Sequence, residues 1–194
     1  MIIWPEDLLP SKVDVSLMSN NAIFESPITN STQTASLSGS KLKISYKFDA
    51  LNERRARRIW AIVASLDGVA GRIMLRDFSA YPIKAKGKPF VLNSNTSKKY
   101  YTSKGWDANT QVLTMGDYIS VNGELKIVVQ DCQSDSKGDA LIYVSPSIRH
   151  FPKDNTPVIV ENARGVFRLE KDENTKNVSM FYKTSFSLSF VEAF

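Results

Sequence analysis

The chain is expected to be mainly β with a single amphipathic helix, folded as two lobes. Period-2 alternation recurs along most of its length, and helical spacing occurs in one stretch. Composition shifts near Ala80 before a second set of strands begins. The causes are geometric: alternating residues face opposite sides of a strand, whereas residues three and four apart share a helix face.

Strands come first. "KVDVSLM" (12–18) alternates polar and apolar, as does "KLKISYKFDAL" (41–51), where Leu42, Ile44, Tyr46 and Phe48 share a face. Between them, "SPITNSTQTASLSGS" is a long polar connection, either an exposed arm or an irregular edge strand. The helix follows. Asn52 is expected to be the N-cap, and Glu53 in the first turn suits the positive end of the helix dipole. Ala56, Ile59, Trp60, Val63 and Leu66 recur at helical spacing, so this face is expected against a sheet, with Ile59 and Trp60 in the core. Gly68 sits where a left-handed C-cap would fall. Arg54, Arg55, Arg57 and Arg58 occupy the opposite and flanking faces. "VAGRIMLRDF" (69–78) reads as a further strand.

The stretch from Tyr81, "YPIKAKGKPFVLNSNTSKKYYTSKGWD", is rich in lysine, glycine and turn residues. Beyond it the alternation returns. "VNGEL" is an Asn-Gly hairpin turn, "SDSKGDA" a second tight turn, and "TPVIVEN" closes the group. Short strands at close spacing predict a small barrel or sandwich. The closing segment, "GVFRLEKDENTKNVSMFYKTSFSLSFVEAF", offers two more strands around a polar loop.

Composition narrows the function classes. With 42% hydrophobic and 23% charged residues, the chain has globular rather than disordered composition. No apolar run approaches the roughly 20 residues that span a bilayer. "MIIWPEDLLP" carries no basic residue before its apolar ones and two acids after them, so a secretory signal is not expected. Cys132 stands alone, which excludes an internal disulfide framework and fits folding in reducing cytoplasm. The net charge of +5 is spread through both lobes. Residues 84–160 hold ten Lys/Arg against seven Asp/Glu (+3), and the remainder holds fifteen against thirteen (+2). Outside the helix, basic residues are interleaved with acids, so a domain-wide footprint for nucleic acid is missing.

Catalytic and metal-binding patterns are not found, and no enzyme activity, cofactor or metal is expected. His150 lies in a turn beside Arg149, with no nucleophile motif nearby. Cys132 ends an apolar strand and reads as a structural thiol. Asp131, Asp135 and Asp139 resemble a calcium loop only superficially, because their spacing fails the EF-hand pattern. Tyr100, Tyr101, Trp106 and Tyr118 lie among Lys98, Lys99 and Lys104. Aromatics and lysines on an OB-like barrel are how such domains hold single strands. The same pattern equally describes a solvated loop whose aromatics pack down onto the barrel.

The order of motifs resembles a known family. "FESPITNSTQTASLSGSKLKISYKFDALNERRARRIWAIVASLDGVAGRIMLRD" is similar to the N-terminal region of tail-tip proteins from bacteriophages with long non-contractile tails. The carrying residues are Ser26-Pro27, Thr32-Gln33, the arginine-rich helix to Leu66 with Gly68, and Gly71 to Asp77. Asn30 stands where the family often has glycine. "GDYISVNGELKIVVQD", "GDALIYVSPSIRHFPKDNTPVIVENARGVFRLEKDE" and "SFSLSFVEAF" extend the resemblance over most of the chain.

The resemblance implies a distal tail-like structural protein, a homo-hexameric ring at the tip of the tail tube. It implies a tube-like β-sandwich with a flanking helix, residues 1–82 and 164–194, and an inserted small OB-like β-barrel, residues 83–163. The implied partners are neighbouring copies, the tail tube protein and the tail hub, with DNA only in transit through the lumen and no membrane. The protein would be made in the host cytoplasm and reside in the virion. Candidate interface residues are Ser26, Pro27, Thr32 and Gln33 on the arm and Arg54, Arg55, Arg57 and Arg58 on the helix. Two alternatives remain open: an OB-containing protein that binds single-stranded nucleic acid, and a carbohydrate-binding module at the tail tip. A cryptic cell-wall-directed enzyme with scattered carboxylates is a third.

Overall fold

The computed structural model describes residues 1–37, 39–179 and 183–193. Ser38, in the polar connection, and residues 180–182 and 194, in the closing segment, lie outside the described residues. The protein is mainly β, with one α-helix and one short 3-10 turn among the described residues.

Seven strands form one sheet in the order β1-β6-β15-β17-β5-β2, with β16 pairing alongside β17. They are β1 (Ile2–Ile3), β2 (Lys12–Met18), β5 (Lys41–Leu51), β6 (Ile73–Leu75), β15 (Gly165–Leu169), β16 (Lys176–Val178) and β17 (Thr184–Glu192). All pairs are antiparallel except β1 with β6. Alternation sets which face is dry: Leu42, Ile44, Tyr46 and Phe48 of β5 are fully buried, as are Leu188 and Phe190 of β17.

The helix α1 (Glu53–Ser65) covers this face. Asn52 caps it as expected, its side-chain oxygen accepting from the Arg55 N–H at 2.9 Å. Ala56, Ile59, Val63 and Leu66 are buried in the sheet's core. Trp60 corrects the expectation. It is 38% exposed, its ring stacked on buried Phe186 at the edge of the helix contact. The buried stripe runs through 56, 59, 63 and 66, and residue 60 lies about 100° around the helix from Ile59. Trp60→Ala is therefore expected to cost about 1 kcal/mol, against about 2–5 for Ile59→Ala, in urea unfolding. At the C-terminus Leu66 is the cap, and Asp67 (φ 48°) and Gly68 (φ 64°) both turn left-handed.

Six strands close an antiparallel barrel in the order β10-β11-β13-β8-β7-β14. They are β7 (Gly87–Ser97), β8 (Tyr100–Trp106), β10 (Tyr118–Val121), β11 (Glu124–Val128), β13 (Ala140–Ser145) and β14 (Thr156–Ile159). All lie between β6 and β15 in the chain. The short pair β9 (Gln111–Leu113) and β12 (Cys132–Gln133) flanks the barrel. Asn122 (φ 53°) and Gly123 (φ 79°) make the tight β10–β11 turn signalled by "VNGEL". The barrel has its own core, including Val91, Tyr101, Ile119, Val128 and Ile142.

Barrel and sheet are packed together. Leu125 of β11 is buried in the sheet's core, with Tyr118 and Ile127 partly buried beside it. A Cβ at Gly165 would fall 2.7 Å from the Leu125 side chain, so glycine there permits the approach. The Val166 N–H donates to the Gly123 carbonyl across the junction at 2.9 Å.

Candidate interface surfaces

The remaining strands, β3 (Asn21–Glu25) and β4 (Thr32–Ser36), pair only with each other among the described residues. They turn the long polar connection into a hairpin arm leaving the sheet between β2 and β5. Its tip is built by the sequence motif. The Asn30 N–H donates to the Ser26 carbonyl and the Ser26 N–H to the Ser31 carbonyl, both at 2.9 Å. Asn30 is left-handed at φ 51°, a conformation asparagine tolerates well. Ser26 and Pro27 thus sit at the bend, while Thr32 pairs with Glu25 and Gln33 with Phe24. Pro27, Thr32 and Gln33 are exposed, and Ser26 is half-buried.

The apolar side chains of the arm are exposed. Ile23 is 68% accessible, Phe24 63% and Ile28 92%. A lone two-stranded hairpin is at best marginally stable in water, because it has no second layer to bury its apolar face. Among the described residues nothing covers this arm. Leu17 and Met18, at the end of the edge strand β2, are also exposed.

All four helix arginines are exposed. Arg57 pairs with Glu53 one turn back, and Arg58 grips Asp7 through both guanidinium nitrogens. That hydrogen-bonded contact holds the Asp7 carboxyl below the usual range and raises the Arg58 guanidinium. Arg54 and Arg55 make no ion pair among the described residues. The structure does not bring the arginines together with the arm motif into one site. They form two surfaces.

The barrel aromatics divide. Tyr101 and Trp106 are buried, and the Trp106 indole N–H donates to Ser103 at 2.8 Å. Neither ring is available to stack on a base. Tyr100 tilts against Tyr143 at the surface, and Tyr118 is half-buried at the junction with the sheet. Asp135 serves its turn, accepting the Lys137 and Asp139 N–H groups at 2.8 Å each. The His150 side chain is 62% exposed, with Nδ1 3.3 Å from Glu124.

Cys132 is buried, its Sγ 3.1 Å from the Leu141 carbonyl, and burial pushes the thiol up to about 11. Relative to an ordinary thiol near 9, the reactive thiolate is about 100-fold rarer at neutral pH. Disulfide-exchange reagents at pH 8 are accordingly expected to label it readily only after denaturation. Rapid labelling of the native protein would show the thiol to be open.

No protein-family model matches this chain, and a search of curated proteins returns no match.

Proposed function

We propose that this chain is a structural subunit that assembles as a ring at the tip of a long non-contractile bacteriophage tail, joining the tail tube to the tip hub. The observation that carries this reading is the β3–β4 arm, a two-stranded hairpin with exposed Ile23, Phe24 and Ile28 and, among the described residues, no covering layer. The motif order described above, from Ser26-Pro27 to the arginine-rich helix, points the same way. In this reading the sheet and α1, residues 1–82 and 164–194, are a tube-like ring-forming domain, and residues 83–163 are an OB-like insert. The sheet ends in two unlike edges, β1 and β2, so copies can add head to tail, as a closed rotational ring requires. The arm reaches a neighbouring copy, and α1 faces outward, away from a lumen that carries DNA.

Negative-stain imaging of the purified protein, alone and with tail tubes, tests this. Six-fold rings or binding at tube ends are expected. Monomers at every concentration, with no tube binding, would overturn the reading.

The helix arginines supply a second discriminator. A lumen lined by four arginines from every subunit would grip DNA through counterion release, when DNA has to slide. Replacing Arg54, Arg55, Arg57 and Arg58 by glutamine is expected to leave the fold intact and weaken assembly with acidic partners. A gel-shift assay at physiological salt is expected to show no DNA binding by either protein. Binding by the wild type that the quadruple variant loses would instead make α1 a nucleic-acid contact.

A further inference from the structure

The face of the sheet opposite α1 is wet, and strand alternation loads it with cations. On β5 the side chains that alternate with buried Leu42, Ile44 and Tyr46 are Lys41, Lys43, Ser45 and Lys47. The register sets Lys12 of β2 opposite Lys47, and it sets Arg168 of β15 in one row with Lys43, through Val191 of β17. Serines lie between them, with the Ser45 and Ser189 hydroxyls 2.9 Å apart. These lysines, Arg168 and both serines are exposed or half-buried. Two acids reach into the row from its flanks. Glu170, just past β15, lies 2.6 Å from Lys43 Nζ. Asp14 of β2, opposite Ser45, lies 2.9 Å from Lys12 Nζ and 3.4 Å from Lys47 Nζ.

We propose that Asp14 and Glu170 mask this lysine face, so that it meets duplex DNA without holding it. This rests on the reading above, in which α1 points away from the DNA and the opposite face lies toward it. A lysine binds DNA by displacing the cations condensed on its phosphates. A lysine already paired with a fixed carboxylate must give up that partner first, which offsets the gain. Relief of repulsion explains only part of the arrangement. Lys12 and Lys47 stand directly opposite each other, where like charges destabilise, and Asp14 bridges them. Lys43, however, is flanked by Ser16 and Val191 and still carries the shortest ion pair on this face. Pairs this accessible add little to stability, so their charges can be removed without loss of the fold.

Fluorescence anisotropy with a short labelled DNA duplex tests the mask. The Asp14→Asn, Glu170→Gln double variant is expected to bind about tenfold or more tighter than the wild type at low salt, with its thermal midpoint nearly unchanged. Its binding is expected to weaken about 40-fold between 50 and 200 mM salt, the slope for three phosphate contacts. Adding Lys43→Gln and Lys47→Gln is expected to return the affinity to that of the wild type; any binding through α1 is common to all these proteins and cancels in the comparison. Glu170→Gln alone, which frees only Lys43, is expected to show a smaller gain and carries the test if the double variant does not fold. No gain in either variant would overturn the mask. So would a gain that survives loss of Lys43 and Lys47, because the DNA would then be held elsewhere. The ring is decided separately by imaging: monomers there, together with the gain here, would keep the mask and remove the ring.

Discussion

Replacing Trp4 by alanine is expected to cost about 3–5 kcal/mol, the range for deleting a buried aromatic. Trp4 is 2% exposed and sits on β5 and β17, its ring 5.3 Å from Tyr46, 5.7 Å from Phe48 and 6.2 Å from Phe190. Its indole N–H donates to the Leu8 carbonyl at 3.0 Å, closing the turn that lets Leu8 enter the same core. Alanine removes the ring and leaves that carbonyl without its donor. For a chain of this size the loss corresponds to roughly 6–20 °C in melting temperature. Trp4→Phe is expected to recover most of it. A loss below about 1 kcal/mol in urea unfolding would mean that the N-terminal segment is not part of the cooperative core.

If the chain assembles as the proposed ring, changing Ile23, Phe24 and Ile28 together to threonine is expected to abolish that assembly while leaving the monomer's stability within about 0.5 kcal/mol, as for other exposed positions. Threonine keeps the strand preference of the arm and removes its apolar surface. Size-exclusion chromatography and thermal melting read the two effects separately. Rings of normal size would show that the arm is not the contact. Clear destabilisation of the monomer would show that the arm packs on its own chain.

Much of the sheet was legible. The alternation in β5 marked Leu42, Ile44, Tyr46 and Phe48, all of them buried, and Asn52 and the Asn-Gly turn mark local geometry that needs no tertiary context. Trp4 was not legible, because it stands between two isoleucines and a proline with no period to assign it. Glu6 and Asp7 read only as acids that disfavour a signal sequence. In the fold they tie the segment down, Glu6 to Arg76 and Arg164, and Asp7 to Arg58. The arm remained ambiguous for a related reason: where both faces of a hairpin are wet, burial imposes no pattern on the sequence. The buried charges of β11, Glu124 and Lys126, were hidden by alternation itself. In "ELKIVV", Glu124 and Lys126 look like the wet side of a strand, since period two tells which residues share a face but not whether that face is dry. The helix stripe was legible at Ala56, Ile59, Val63 and Leu66, all buried, while Trp60, at the edge of that stripe, is 38% exposed.

The barrel's place in the chain has a further consequence for how such a molecule can vary. β6 and β15 are antiparallel neighbours, Leu75 opposite Gly165, and the whole barrel lies between them. For the sheet's topology, the barrel is therefore an oversized hairpin loop. Exchanging it for another module with close ends, or for a short turn, rethreads no strand and alters no pairing. The constraint on such an exchange is surface rather than connectivity. Whatever stands there must shield the part of the core that Leu125, Tyr118 and Ile127 now cover.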